Sequence, residues 1–150
     1  MAFGQLSLKG RALRYLSARE HSRAELRRKL APHEEEPGAI ERVLDELTAK
    51  GFLSEARLVE SVVHRRAQRL GAARIRQELQ QKGIAPEAMA AALAGLQDSE
   101  LARARALWQR RFGAPPADAA ERARQTRFLV ARGFAPEAVR RVLAGGGGED

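Results

Sequence analysis

Hydrophobic positions fall at helical spacing along almost the whole chain. Leu8, Ala12, Tyr15 and Leu16 mark a helix over 8–18. A second helix opens at Ser22, where Ser22-Arg-Ala-Glu25 forms a capping box: the hydroxyl accepts a backbone N–H and the carboxylate reaches back. An acidic linker, 33–38, follows. Pro37 then fits the first turn of a third helix carrying Ile40, Val43, Leu44 and Leu47, which Gly51 stops. Ser54 caps the next helix, predicted over 54–70, with Leu53 and Leu58 as a hydrophobic staple. Helix 73–82 ends at Gly83, and Ala85-Pro86-Glu87 starts another that runs to about Leu96. Asp98 caps a helix through Trp108 and Phe112, 113–116 breaks it, 118–132 is helical, and Pro136–Leu143 closes the series. Alternating apolar runs are missing and β-branched residues are few, so the pattern predicts an all-α fold.

The same block occurs three times, spaced by 49 to 50 residues. Residues 26–44 align on 75–93 without a gap: Leu26 on Ile75, Leu30 on Leu79, Pro37 on Pro86, Ile40 on Met89, Leu44 on Leu93. Residues 82–93 (KGIAPEAMAAAL) align in turn on 132–143 (RGFAPEAVRRVL). Such a period signals a tandem array of supersecondary units, here 1–52, 53–97 and 98–144, each of three helices. The tail 145–150, four glycines and two acids, is expected to be disordered. Gly83 and Gly133 each follow a Lys or Arg and precede an apolar residue and an Ala-Pro start. Both are expected at helix C-termini with positive φ. Arrays of this kind present an elongated surface to a partner.

Charge and chemistry sharpen the picture. The formal net charge of +8 suits a polyanionic partner, nucleic acid or an assembly containing it, although an arginine- and alanine-rich composition also follows from GC-rich coding. With no cysteine, no apolar run near the roughly 20 residues of a membrane span, and no apolar leader in MAFGQLSLKG, we expect a cytoplasmic monomer away from membranes. His21, His33 and His64 lack metal-ligand spacing, Glu34-Glu35-Glu36 lies in a linker, and the glycine run precedes no helix. These observations argue against a metal, a cofactor or catalysis. Helix 86–97 offers mostly alanine, and helix 136–143 offers Arg140 and Arg141 without Asn or Gln, which disfavours base-specific reading and leaves phosphate contact open.

The central unit carries the best candidate surface. Arg57, Arg65, Arg69, Arg74 and Arg76 lie on two successive helices joined by Gly71-Ala72-Ala73, so they are expected to converge on one face; solvated charge is the bland alternative. Arg66 projects toward the apolar stripe of Leu58, Val59, Val62 and Val63, and either pairs with Glu78 or snorkels at the stripe's edge. Arg103, Arg110, Arg111, Arg140 and Arg141 form a secondary basic face. Trp108 and Phe112, at i and i+4, read as core rather than as a stacking platform.

Three stretches together resemble the RecX family, regulators of the bacterial recombinase RecA. They are Ala18–Leu30 (AREHSRAELRRKL); Lys50–Glu55 with Arg66, Leu70-Gly71, Ile75–Leu79 and Lys82–Ile84; and Trp108–Gly113 with Arg127–Leu129 and Arg132–Phe134. The likeness spans 8–144. It departs where the family places Asp and an aromatic in the first turn of the middle unit's first helix, held here by Ser54-Glu55 and Leu58-Val59, and in 32–38, which lacks the Lys-Gly-aromatic turn. The resemblance implies three tandem three-helix repeats in a curved, elongated array. It also implies a non-enzymatic protein that binds in the groove of the RecA filament on single-stranded DNA and limits its growth, ATP hydrolysis and co-protease activity. The residues by themselves also allow a stand-alone DNA-binding protein acting through phosphates.

Overall fold

The structure, a computed structural model, describes residues 5–145. Among them are nine α-helices and one short 3-10 turn, with no strand. These are α1 (Leu8–Ala18), α2 (Arg23–Leu30), α3 (Ala39–Ala49), α4 (Glu55–Arg66), α5 (Ala72–Gln81), α6 (Pro86–Asp98), α7 (Glu100–Arg111), α8 (Ala119–Ala131) and α9 (Pro136–Gly145). The capping box at Ser22 has both of its hydrogen bonds, and Ser7, Ser54 and Asp118 each accept from the backbone N–H three residues on.

Several details differ from the sequence expectation. Pro37 lies in a turn and Gly38 caps α3, whereas Pro86 and Pro136 do open α6 and α9. The aligned prolines therefore serve different local structures. Helix α4 stops at Arg66, a turn before the expected end at 70. Arg103 donates to the carbonyls of Ala67 (2.8 Å) and Leu70 (2.7 Å), and Arg110 to that of Gln68 (3.1 Å), so side chains from α7 satisfy the unwound turn. Asp98 is the last residue of α6 rather than a cap, and Ser99 separates α6 from α7. Leu53 and Leu58 form no staple: Leu53 is buried in the first core and Leu58 in the second. Gly145 ends α9, and 146–150 of the expected tail lie outside the described residues.

Each unit buries its own apolar cluster. Leu26, Leu30, Ile40, Leu44 and Leu47 build the first; Ile75, Leu79, Ile84, Met89 and Leu96 the second; Trp108, Leu129, Phe134, Val139 and Leu143 the third. The aligned positions thus do the same packing job three times. One exception is Gln125, which stands where Leu26 and Ile75 do, buried to 2%. It accepts from the Trp108 indole N–H at 2.8 Å and donates to the Ala114 carbonyl and Glu121, so its polarity is satisfied. Trp108 is core.

Successive units meet by one repeated device. The N-cap of α2, Ser22, donates its hydroxyl to the carbonyl of Lys82 at the end of α5. The N-cap of α5, Gly71, donates its N–H to the carbonyl of Arg132 at the end of α8 at 2.8 Å. Both receiving ends are wound by a left-handed glycine, Gly83 (φ 82) and Gly133 (φ 92), and closed by bonds from Ile84 to Leu79 and from Phe134 to Leu129. A carboxylate at the first position of the next unit's leading helix clamps each joint. Glu55 accepts from the Arg23 N–H at 2.9 Å, and Glu100 from the Ala72 N–H at 2.8 Å and the Ala135 N–H at 2.7 Å. Arg103, held between two helices and 3.6 Å from Glu100, completes the second joint. Burial lowers its pKa, opposed by Glu100, yet a guanidinium stays charged.

The loop between α1 and α2 holds a buried histidine. His21 is 1% exposed, with Nδ1 3.0 Å from the Arg19 carbonyl and Nε2 2.8 Å from Lys29 Nζ. Lys29 can only donate, so the ring accepts at Nε2 and is neutral. Burial lowers the His21 pKa, against the raising effect of its bond to the Arg19 carbonyl. Burial likewise lowers that of Lys29, whose ammonium lies 4.7 Å from the Tyr15 ring centroid.

Three outcomes follow. Gly83→Val should destabilise by about 1 kcal/mol or more from its left-handed backbone alone, and further because a Cβ there sits 2.6 Å from Ala24 Cβ; chemical denaturation measures it. Glu100→Ala leaves two amide donors and Arg103 without their acceptor, and should cost about 2–5 kcal/mol in the same experiment. The folded state holds His21 neutral and the unfolded chain takes up its proton below about pH 6.5. That stability is therefore full above pH 6.5 and falls as the pH drops from there. Melting between pH 7.5 and 5.5 should decline more steeply for the wild type than for His21→Gln.

Candidate interaction surface of the central and third units

The central arginines separate into two groups once folded. Arg57 pairs with Glu20 at 2.9 Å and donates to the carbonyls of Gly51 (2.8 Å) and Phe52 (3.1 Å), tying the end of α3 to α4. Arg74 donates to the Ala131 carbonyl at 2.6 Å and packs against Gly133. Both therefore bind units together. Arg65, Arg69 and Arg76 are exposed and form no ion pair among the described residues. Arg66 donates from Nε to Glu78 Oε1 at 3.2 Å with its side chain 39% exposed, so the pair lies at the edge of the apolar stripe.

Nor do the five share one face. Arg65 and Arg66 line an open cleft of about 720 Å³ between the first two units, with Arg19, Lys82, Glu20 and Glu78 around a floor that includes Leu16 and Leu58. A second hollow of about 750 Å³, containing Arg74, Gln77 and Gln81, shares Glu78 and Lys82 with it. The two run together along one side of α5. Arg76 instead borders a mostly apolar hollow of about 440 Å³ beside Val130, Phe134 and Pro136.

In the cleft the carboxylates are already engaged: Glu20 by Arg57 and Glu78 by Arg66. Glu25, just beneath, takes Arg19 at 3.1 Å and Lys82 at 3.6 Å. Burial pushes the Glu25 pKa up, but the Ser22 N–H and these two cations bring it below the ordinary carboxylate value. It stays ionised. Sequence reasoning missed Arg19 and Lys82 here. The alignment of Lys82 on Arg132 was the available signal, since both occupy a joint between units.

The secondary basic face is corrected more strongly. Arg103 has a side chain only 13% exposed and five polar partners at the joint, so its donors are committed to the fold. Arg140 is paired with Glu137. Arg110 holds the turn after α4, and Arg141 is exposed. Arg111 stacks over Phe128 at 5.0 Å and Phe112 at 5.9 Å. Among the described residues no group of His, Cys, Asp or Glu is arranged to hold a metal ion, and no helix is long and apolar enough to cross a membrane.

Comparison with known proteins places this geometry. The chain matches the models of the first, second and third three-helix domains of RecX over residues 9–47, 54–93 and 98–143. It is 68% identical over 139 residues to the regulatory protein RecX of Leptothrix cholodnii, covering 93% of this chain and 88% of that one. Against its counterpart from Ralstonia nicotianae it is 59% identical over 140 residues, with 93% and 88% covered. The crystal structure of RecX from Lactobacillus salivarius superposes with a TM-score of 0.73 at 21% identity, over 92% of this chain and 93% of that one, which is a likeness of fold. Three consecutive domain matches, in order and across nearly the whole sequence, leave one assignment: the chain belongs to the RecX family of regulatory proteins.

Proposed function

We propose that this protein binds the RecA filament on single-stranded DNA and restrains its growth and ATP hydrolysis. The observation that carries this reading is the basic cleft between the first two units, continuing along α5. Its cations outnumber its carboxylates, and the carboxylates are spent on internal pairs. Such a groove suits an acidic protein surface or a phosphate backbone. An array whose units are joined end to end also suits lying along a helical polymer. It acts as a regulator without a reaction of its own, in the cytoplasm where RecA works.

Arg65 and Arg69 are the residues to test, because neither holds the fold together, whereas Arg74 also bonds the Ala131 carbonyl. Arg65→Glu with Arg69→Glu should leave melting nearly unchanged, as exposed charges contribute about 0–1 kcal/mol. RecA ATP hydrolysis on single-stranded DNA, titrated with the protein far below DNA saturation, should lose its inhibition. Undiminished inhibition by the folded double variant removes the cleft from the contact surface. Wild-type inhibition only at DNA-coating amounts means simple competition for DNA.

A further inference from the structure

The positive charge is distributed unevenly. Residues 53–97 have seven basic side chains to four acidic ones, but 98–144 have ten arginines to five acids. The most basic unit also holds a cluster that the cleft does not use. Phe112 at the end of α7 and Phe128 on α8 meet edge to face, with centroids 5.4 Å apart and planes at 88°. Both rings are half-buried, backed by the third core. Three guanidinium groups cover their outer sides: Arg124 5.0 Å from Phe112, Arg132 4.7 Å from Phe128, and Arg111 within reach of both.

Arg124, Phe128 and Arg132 follow one another at i, i+4 and i+8, so one stripe of α8 and its C-cap faces Arg111 and Phe112 at the end of α7. Only Arg124 has a carboxylate, Glu121 at 3.0 Å; Arg111 and Arg132 form no ion pair among the described residues although both lie over the Phe128 ring. Two cations brought to one ring without a counter-ion repel each other, and an anion placed there relieves that cost. Cation–π attraction meanwhile favours keeping both guanidinium groups against the ring.

We infer that this arginine–phenylalanine cluster of the third unit is a binding site for single-stranded nucleic acid. Bases stack on the guanidinium groups held over the phenyl rings, and Arg111 and Arg132 also hold the adjoining phosphates. Stacking requires bases that are not already stacked in a duplex, which selects single strands. Arg132 gives the joint only its backbone carbonyl, which accepts from the Gly71 N–H, so replacing its side chain leaves that bond in place. Because the site is read out with oligonucleotide alone, it stands or fails independently of the RecA reading.

The test is fluorescence anisotropy of a labelled oligo-dT and of a duplex of equal length, using the full chain. The wild type should prefer the single strand about tenfold or more, the scale of a stacked base. Arg111→Ala with Arg132→Ala should abolish that preference. Arg111→Lys with Arg132→Lys keeps the charge and covers the rings with its stems but removes the planar groups; it should bind both probes about equally. Equal wild-type affinity for strand and duplex overturns the proposal, because phosphates alone then suffice. Full single-strand preference in the lysine variant, folded by circular dichroism, overturns it as well.

Discussion

The docking of one helix end on another governs this molecule. The N-terminus of α2 sits on the C-terminus of α5, and the N-terminus of α5 on that of α8. Each contact brings a donor from one helix's N-cap, the Ser22 hydroxyl or the Gly71 N–H, to a carbonyl that the other helix leaves unpaired. It also sets three macrodipoles head to tail, and a carboxylate, Glu55 or Glu100, reinforces the positive end each time. The close approach demands glycine. A Cβ on Gly71 would overlap the backbone of Gly133, and one on Gly133 would overlap Arg74. The Lys-Gly and Arg-Gly pairs at 82–83 and 132–133 are thus fittings of a joint, which explains why they repeat at 50 residues.

The same device accounts for the irregularity of the first unit. Where the later units have a glycine-terminated helix, α2 runs into the 3-10 turn Ala31–His33 and an acidic linker. Among the described residues the end of α2 receives no N-cap from another helix, so nothing there calls for a left-handed glycine. The departure of 32–38 thus falls at a helix end that, among the described residues, takes no part in a joint.

Joint-making also reassigns much of the charge. Arg57, Arg74 and Arg103 spend their donors on carbonyls at helix ends, Arg103 in a part-buried setting and the other two at the surface. Of the candidate arginines, the set left for partners is narrower than the +8 of the whole chain suggests: Arg65 on the cleft, the exposed Arg69 and Arg141, Arg76 on another side, and the arginines over the third unit's aromatic pair. The RecX family supplies the regulatory role; the geometry indicates where contact is affordable without loosening the array.

The sequence by itself determined the all-α class, the number and order of helices, the tandem repeat and the family. These depend on local rules: helical spacing of Leu26, Leu30, Ile75 and Leu79, capping at Ser22 and Ser54, left-handed turns at Gly83 and Gly133. Each is set by residues within a few positions of one another and recurs in three copies, so the signal accumulates. Tertiary structure alone decided which arginines are structural and which are free. Arg103 and Arg111 are indistinguishable along the chain, yet one is buried among carbonyls of the turn after α4 and the other lies on a phenyl ring of α8. It also decided the early end of α4, the lodging of Leu53 in the first core and the neutrality of His21. Those outcomes depend on groups from 8 to more than 30 residues away, whose approach is fixed only when the units dock.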